Sequence, residues 1–193
     1  MPIVAPIVEG YGEVTAVRQL VTRIGEKFGI VVEVAQPFRL DSGRMRRPEE
    51  LAKAVRLQEV RVRGRVGGVL IVRDGDDDDI RCPVELARQI SPVPGAFSVP
   101  VEVVIACQEY EAWFLAAAES LRVHASVRDD AVTPPNPELK RNAKKQLELM
   151  MNESYKETLH QVKFSSLIDL SVAAENSRSF RRMMHAVEKL ITR

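Results

Sequence analysis

Short apolar runs alternate with helical patterns along the first two thirds of the chain. Each run has the length of a strand, and the segment after it carries apolar residues at helical spacing. The predicted strands cover residues 3–8, 30–34, 69–72 and 99–106. The predicted helices cover residues 13–28, 48–61, 83–90 and 110–121. Because strands that alternate with helices favour a parallel sheet, we predict an α/β fold with an open, mostly parallel four-stranded sheet flanked by helices.

The pattern changes after residue 122. Residues 128–137 contain three prolines and predict a linker or a long loop. Beyond this segment the chain shows only helical patterns, over residues 137–152, 155–169 and 177–191. We therefore predict an α/β domain over residues 1–127 and a helical extension over residues 128–193 that packs on it. A length of 193 residues suits one domain with such an appendage.

Composition narrows the class of protein. Hydrophobic residues make up 45% of the chain and charged residues 28%, which argues against disorder. Cys82 and Cys107 are far apart and form no CxxC pair, so a structural zinc site is not expected. We find no leader peptide and no apolar stretch long enough to cross a bilayer, and we expect a cytoplasmic protein that does not associate with membranes.

Five aspartates stand within six residues directly after the apolar run 69–72. They are Asp74, Asp76, Asp77, Asp78 and Asp79. Two carboxylates about 4 Å apart repel by roughly 1 kcal/mol in water and by about 4 kcal/mol at an effective dielectric constant near 20. A hard cation such as Mg²⁺ or Mn²⁺ relieves this repulsion because it prefers oxygen ligands. We predict that Asp74 and Asp76 bind the metal and that Asp78 is a further candidate ligand.

Acidic residues also follow two other predicted strands. Glu9 follows the first strand, and Glu109 and Glu111 follow the fourth. The carboxyl ends of parallel strands open on one edge of a sheet, where α/β proteins bind ligands. We predict that Glu9, Asp74 and Asp76 are catalytic and that Glu111 completes a site for one or two Mg²⁺ ions, which can hold a phosphodiester. The roles of Glu13 and Glu109 stay open.

A basic segment lies between the first and third predicted strands. Residues 39–65 contain nine Arg or Lys against four acids. Basic charge close to an acidic metal site suits a phosphate-bearing substrate such as nucleic acid. We predict that Arg44, Arg46 and Arg47 contact phosphate. The alternative is an exposed helix with ordinary solvated charges.

Two motifs resemble those of the Toprim domain, the catalytic fold of primases, topoisomerases and OLD-family nucleases. The segment Val-Glu-Gly-Tyr-Gly-Glu-Val at Val8–Val14 resembles the first motif, and Asp-Gly-Asp at Asp74–Asp76 resembles the second. The resemblance implies that Glu9 is a general acid/base or metal ligand and that the two aspartates bind metal. We place Gly10 and Gly12 among the predicted substrate-binding residues. Residues 1–122 lack the partner domains of primases and topoisomerases, which favours plain hydrolysis.

A second resemblance extends over nearly the whole chain. The segment Gln-Glu-Tyr-Glu-Ala-Trp-Phe at Gln108–Phe114 and the helical tail around Lys156, Lys163 and Ser177–Phe180 resemble the DUF4276 family. That family is regarded as Toprim-like, and some members are thought to accompany ATPases in phage defence. We predict a Mg²⁺-dependent nuclease, and a homodimer is a candidate for its oligomeric state. The alternative is a conditionally active subunit or binding module that works with an ATPase partner. A receiver-like domain is disfavoured because its acidic pair follows the first strand.

Overall fold

The computed structural model describes residues 1–76, 82–139 and 141–192. Within these ranges the protein forms a five-stranded sheet, with strands β1 (Ile3–Val8), β2 (Glu33–Val34), β3 (Phe38–Arg39), β4 (Gly67–Asp74) and β5 (Val101–Ala106). The strand order is β2-β1-β4-β5, and β3 pairs with β1 beside β2. Every pairing is parallel. The α/β class and the open parallel sheet are thus confirmed.

Helices cover both faces of this sheet. In the described part of the chain they are α1 (Glu13–Lys27), α2 (Ser42–Met45), α3 (Pro48–Val62), α4 (Pro83–Ile90), α5 (Glu111–Leu115), α6 (Ala143–Leu149), α7 (Glu157–Leu167), α8 (Leu170–Asn176) and α9 (Arg178–Ile191). Two 3₁₀ turns lie at Ala118–Val123 and Pro137–Leu139. Among the described helices, none is both long and apolar enough to cross a membrane.

Alternate residues of the central strands enter two separate cores. In β4, Leu70 and Val72 pack with α1, α5 and α9, whereas Val69 and Ile71 pack with α2, α3 and α4. Side chains alternate across a strand, so a strand covered on both faces has to be apolar throughout. This explains why the strands were visible in the sequence as uninterrupted apolar runs.

The edge of the sheet beside β1 differs from the prediction. The predicted strand over residues 30–34 is reduced to β2, and β3 lies between that strand and the helix predicted over residues 48–61, where no element was predicted. Pro6 lies opposite the break between β2 and β3, where its missing N–H leaves no ladder bond unmade. The side-chain amide of Gln58 fills the break, donating to the carbonyl of Pro6 (2.6 Å) and to that of Gln36 (3.0 Å). β1 is therefore continuous despite its proline.

The C-terminal helices pack on the α/β part of the chain. α7 packs against α1, and α9 packs beneath β4 and β5, so residues from both predicted domains share a single apolar core. The helix predicted over residues 137–152 is a 3₁₀ turn followed by α6, and the helix predicted over 110–121 ends early as α5 and continues as a 3₁₀ turn. The helical extension is confirmed, and its boundary near residue 127 stays a prediction.

Candidate active site

Among the described residues, four carboxylates from different elements meet at the carboxyl edge of the sheet. Glu9 follows β1, Glu13 begins α1, Asp74 ends β4 and Glu111 begins α5. Each of them acts electrostatically on at least one of the others. The structure therefore brings together three predicted ligands and adds Glu13, whose role was open. We call these four residues the carboxylate cluster.

Glu13 closes the turn between β1 and α1. Its side chain is 3% exposed, and its two oxygens accept the backbone N–H groups of Glu9 and Gly10, each at 3.2 Å. Burial, with smaller contributions from the charges of Glu9 and Glu111, raises the pKa of Glu13 to about 8. The carboxyl group thus organises the turn and lies close enough to the other acids to share their charge.

Asp74 lies at the centre of the carboxylate cluster. Its Oδ1 accepts the backbone N–H of Tyr110 at 2.8 Å. Burial and the charges of Glu13, Glu111 and Glu9 raise the pKa of Asp74 well above its ordinary value. The site therefore favours a proton or a cation on this carboxylate.

Gly75 lets the end of β4 approach β5 closely. Its N–H donates to the carbonyl of Gln108 at 2.9 Å, and a Cβ atom at this position would lie only 2.7 Å from the carbonyl oxygen of Ala106. Gln108 has a positive φ of 65°, so the loop after β5 also turns sharply here. A glycine between Asp74 and Asp76 is thus required for packing, whether or not it also surrounds an ion.

Glu111 is fully buried and only half satisfied by hydrogen bonds. Its Oε1 accepts the hydroxyl of Tyr155 at 2.7 Å and the side-chain amide of Gln161 at 2.8 Å. Its Oε2 is buried and has no hydrogen-bond partner among the described residues. Burial raises the pKa of Glu111, although Lys144, Tyr155 and Gln161 act in the opposite direction. One oxygen is therefore held in place while the other can accept a ligand.

Glu9 lies nearer to solvent than Glu13 and Glu111. Its Oε2 is 3.7 Å from Nε of the buried Arg73, and 22% of its side chain is exposed. Burial raises the pKa of Glu9, and the charge of Asp76 adds to the increase, while Ser42 and Arg73 lower it. Asp76 itself is exposed. It lies at the rim of the carboxylate cluster, close enough to act on Glu9.

Lys144 is a cation of the site that sequence reasoning missed. Its Nζ lies 2.8 Å from Glu157 and 3.6 Å from Glu109, and its charge lowers the pKa of Glu111 and Asp74. Glu109 also accepts the backbone N–H of Lys144 at 3.1 Å and so satisfies the start of α6. Nothing in the sequence links Lys144 to residues 35 positions earlier, because the contact depends on how α6 packs beside α5.

The predicted phosphate-binding arginines are all exposed and lie in or beside α2. Arg44 pairs with Glu50 at 2.8 Å, whereas Arg46 and Arg47 stand next to each other before α3. The basic residue that contacts the backbone of the cluster is Arg39, whose Nη1 donates to the carbonyl of Glu9 at 3.4 Å. Phosphate binding by the three predicted arginines stays a prediction.

Gly10 and Gly12 are explained first by packing. A Cβ atom at Gly10 would lie 2.9 Å from Oε1 of Glu13. One at Gly12 would overlap the side chain of Gln161 and lie 2.9 Å from the carbonyl oxygen of Glu157. Larger residues would therefore push α7 or the Glu13 carboxylate away. The predicted contact of these two glycines with substrate stays a prediction.

The donor chemistry of the cluster suits a hard divalent cation. Glu9 Oε2 and Glu111 Oε2 are buried without a hydrogen-bond partner in the described ranges, and carboxylate oxygens are the ligands that Mg²⁺ and Mn²⁺ take. Within those same ranges, however, no group of three or more His, Cys, Asp or Glu side chains is already arranged to hold an ion. Binding thus requires side chains to turn. Asp78, with Asp77 and Asp79, lies outside the described residues.

Comparison with known proteins gives a family but no activity. No curated protein and no solved structure matches the chain. The model of the family described as "Domain of unknown function (DUF4276)" matches residues 8–188, which include β4, β5 and almost all of α9. The match confirms the resemblance seen in the sequence. This chain belongs to the DUF4276 family.

Proposed function

We propose that this protein is a divalent-cation-dependent phosphoryl-transfer enzyme, and most simply a nuclease that hydrolyses nucleic-acid phosphodiesters. The observation that supports the proposal is the carboxylate cluster itself. Glu9, Glu13, Asp74 and Glu111 come from four elements and converge at the sheet edge where α/β proteins bind ligands. Buried acids with strongly raised pKa values are concentrated at functional sites.

The electrostatic cost of the cluster is the first step of the argument. At an effective dielectric constant near 20, each close pair of carboxylates repels by about 4 kcal/mol. Protonation relieves the repulsion, and so does a bound cation. Lys144 supplies one positive charge, but that charge is shared with Glu157 and Glu109 at the side of the cluster, and Arg73 supplies another beside Glu9. Among the described residues these two cations stand against four acids, and a divalent cation would neutralise the remaining charge.

The residues fall into separate roles. Asp74 and Glu111 would hold Mg²⁺ or Mn²⁺ from the buried side, and Glu9 and Asp76 from the solvent side. The bound ion would supply positive charge to the phosphate in the transition state. Glu13 fixes the turn that carries Glu9, and Tyr155 and Gln161 fix Glu111. Lys144 adds positive charge beside Glu111 and Asp74.

A relationship to the Toprim domain is part of this proposal. A glutamate follows β1, and an Asp-Gly-Asp sequence follows the next long strand, β4, in the order of the Toprim motifs. Glu9 and Asp74 act on each other electrostatically, as the two motifs of such a site must. Phage defence, an ATPase partner and a homodimer stay predictions.

A cleavage assay tests the proposal. We expect the wild-type chain to cleave single-stranded DNA, duplex DNA or RNA with Mg²⁺ or Mn²⁺, and to be inactive in a chelator. Asp76→Ala should abolish cleavage without unfolding the protein, because Asp76 is exposed and contributes nothing to the core. The variant, purified identically, also controls for contaminating nucleases. Wild-type protein that is inert on all three substrates with both metals would contradict the proposal.

A further inference from the structure

An exposed aromatic ring stands beside the carboxylate cluster. Tyr11 lies in the turn between β1 and α1, two residues after Glu9 and two before Glu13, and it is 70% exposed. Two residues span at most about 7 Å of backbone, so the backbone that carries the ring is next to that of the acids. Neither the core nor the carboxylate cluster uses it.

Arg39 supports one face of this ring. The centre of its guanidinium group lies 3.9 Å from the ring centroid of Tyr11, which is a cation–π contact. Its Nη1 also donates to the carbonyl of Glu9 at 3.4 Å. Since Arg39 covers only one face and Tyr11 is still largely exposed, the opposite face is open to a ligand.

The backbone that carries Tyr11 is fixed on both sides. Gly10 lies against the carboxylate of Glu13, which also binds the N–H groups of residues 9 and 10. Gly12 lies against Gln161 and the backbone of α7. The ring is thus presented from a rigid turn, as a preorganised binding surface requires.

We propose that Tyr11, supported by Arg39, stacks on an unpaired base of the nucleic acid whose phosphodiester reaches the carboxylate cluster. The inference rests on the proposed function and names its substrate class: single-stranded nucleic acid, or a duplex with unpaired nucleotides. An aromatic face binds any base, whereas inside a duplex both faces of a base are covered by its neighbours. Arg39 also brings positive charge to the strand at a point where the acids would repel it.

Fluorescence tests the contact directly. Trp113, the only tryptophan, is fully buried and donates to Ser179, so it provides a constant background. We expect a thymidine oligonucleotide to quench the added fluorescence of Tyr11→Trp, and a relaxed, covalently closed circular duplex, which has neither ends nor unpaired bases, to leave it unchanged. Val31→Trp is the matched control. Val31 is 73% exposed, but it precedes β2 and so lies at the amino ends of the strands, away from the carboxylate cluster.

Affinity gives the second readout. Stacking of one base on an aromatic side chain corresponds to roughly a 5- to 150-fold loss of affinity when the ring is removed. Tyr11→Ala should therefore bind the oligonucleotide that much more weakly than wild type, while Tyr11→Phe keeps the affinity. Binding of the relaxed circular duplex should be equal in all three proteins. Equal affinity of Tyr11→Ala and wild type for the single strand would overturn the inference.

These measurements are made in Ca²⁺, which takes the same oxygen ligands as Mg²⁺, and cleavage is followed separately in Mg²⁺ and Mn²⁺. Quenching and weaker binding by Tyr11→Ala, without any cleavage, would support base stacking on Tyr11 and refute the proposed nuclease activity. Cleavage without quenching, together with a fully active Tyr11→Ala, would refute base stacking on Tyr11 alone. Wild-type protein that binds neither the oligonucleotide nor the circular duplex would refute both.

Discussion

Two regions of the sheet bury carboxylates, and they neutralise the charge in different ways. Glu102 in β5 is 5% exposed and contacts Arg182, at 2.6 Å, and Lys189, both from α9. Burial acts to raise the pKa of Glu102, but hydrogen bonds from the two cations bring it below its ordinary value. At the other end of the sheet, burial and neighbouring acids raise the pKa of Asp74.

The difference separates a structural acid from a candidate ligand. Glu102 holds α9 against β5, and the chain itself supplies both counter-charges. The carboxylate cluster has four acids with Lys144 and Arg73 at its side. Among the described residues, two cations therefore face one acid at Glu102, whereas two cations stand beside four acids at the cluster, and the proposed metal site rests on this imbalance.

The largest expected effect is on cleavage. Asp74→Asn removes a central ligand while keeping an oxygen for the N–H of Tyr110, so we expect activity to fall by roughly 100-fold or more. Glu102→Gln, which changes a buried acid outside the cluster, should stay within about 2-fold of wild type. Initial rates in Mg²⁺ on the best substrate measure both. Equal losses of cleavage activity in the two variants would contradict the difference between the two regions.

For the free energy of unfolding we expect the opposite: Glu102→Gln should lose more than Asp74→Asn. Glu102→Gln leaves two cations facing an amide, and because Arg182 and Lys189 are about half exposed we expect a loss of about 1–2 kcal/mol in the free energy of unfolding. Asp74→Asn removes a repelled charge and should be neutral or stabilising in a chelator. Urea unfolding at neutral pH measures both variants. A strongly destabilised Asp74→Asn would indicate that Asp74 is a structural acid as well.

The smallest effect concerns the pH dependence of stability. Glu13 keeps its proton in the folded protein up to about pH 8, whereas its ordinary pKa is 4.5, so the folded state binds more protons between these values. Wild-type stability should therefore decrease as pH rises from about 5 to 8 in a chelator. Stability of Glu13→Gln should decrease less steeply, by on the order of 1 kcal/mol for each pH unit in this range, since glutamine mimics the protonated acid. Parallel stability curves for the two proteins would contradict the raised pKa.

Sequence reasoning succeeded where a single local pattern decides the structure. The central strands are apolar on both faces, so β1, β4 and β5 were visible without knowledge of the fold. β3 was missed because a two-residue edge strand has too little pattern to detect. The helix expected after residue 137 is broken because Asn142 adopts a positive φ of 56° before α6.

The site was predictable to the extent that strand ends determine it. Glu9, Asp74 and Glu111 follow parallel strands, and their convergence follows from the topology alone. Lys144, Tyr155 and the burial of Glu111 depend on how the C-terminal helices pack over the sheet edge, and no spacing in the sequence encodes that packing. The run of aspartates did not indicate which acids are buried. Asp76 is exposed at the rim of the cluster, whereas the buried acids Glu13 and Glu111 come from other parts of the chain.

Binding of Mn²⁺ to the isolated chain tests the central claim most directly. Electron paramagnetic resonance gives the free Mn²⁺ concentration during titration of wild type, Asp74→Asn and Glu102→Gln. We predict that wild type and Glu102→Gln bind Mn²⁺ with equal affinity and that Asp74→Asn binds roughly 10- to 100-fold more weakly. Wild-type protein that binds no Mn²⁺, or Asp74→Asn that binds it as tightly as wild type, would contradict a metal site at the carboxylate cluster.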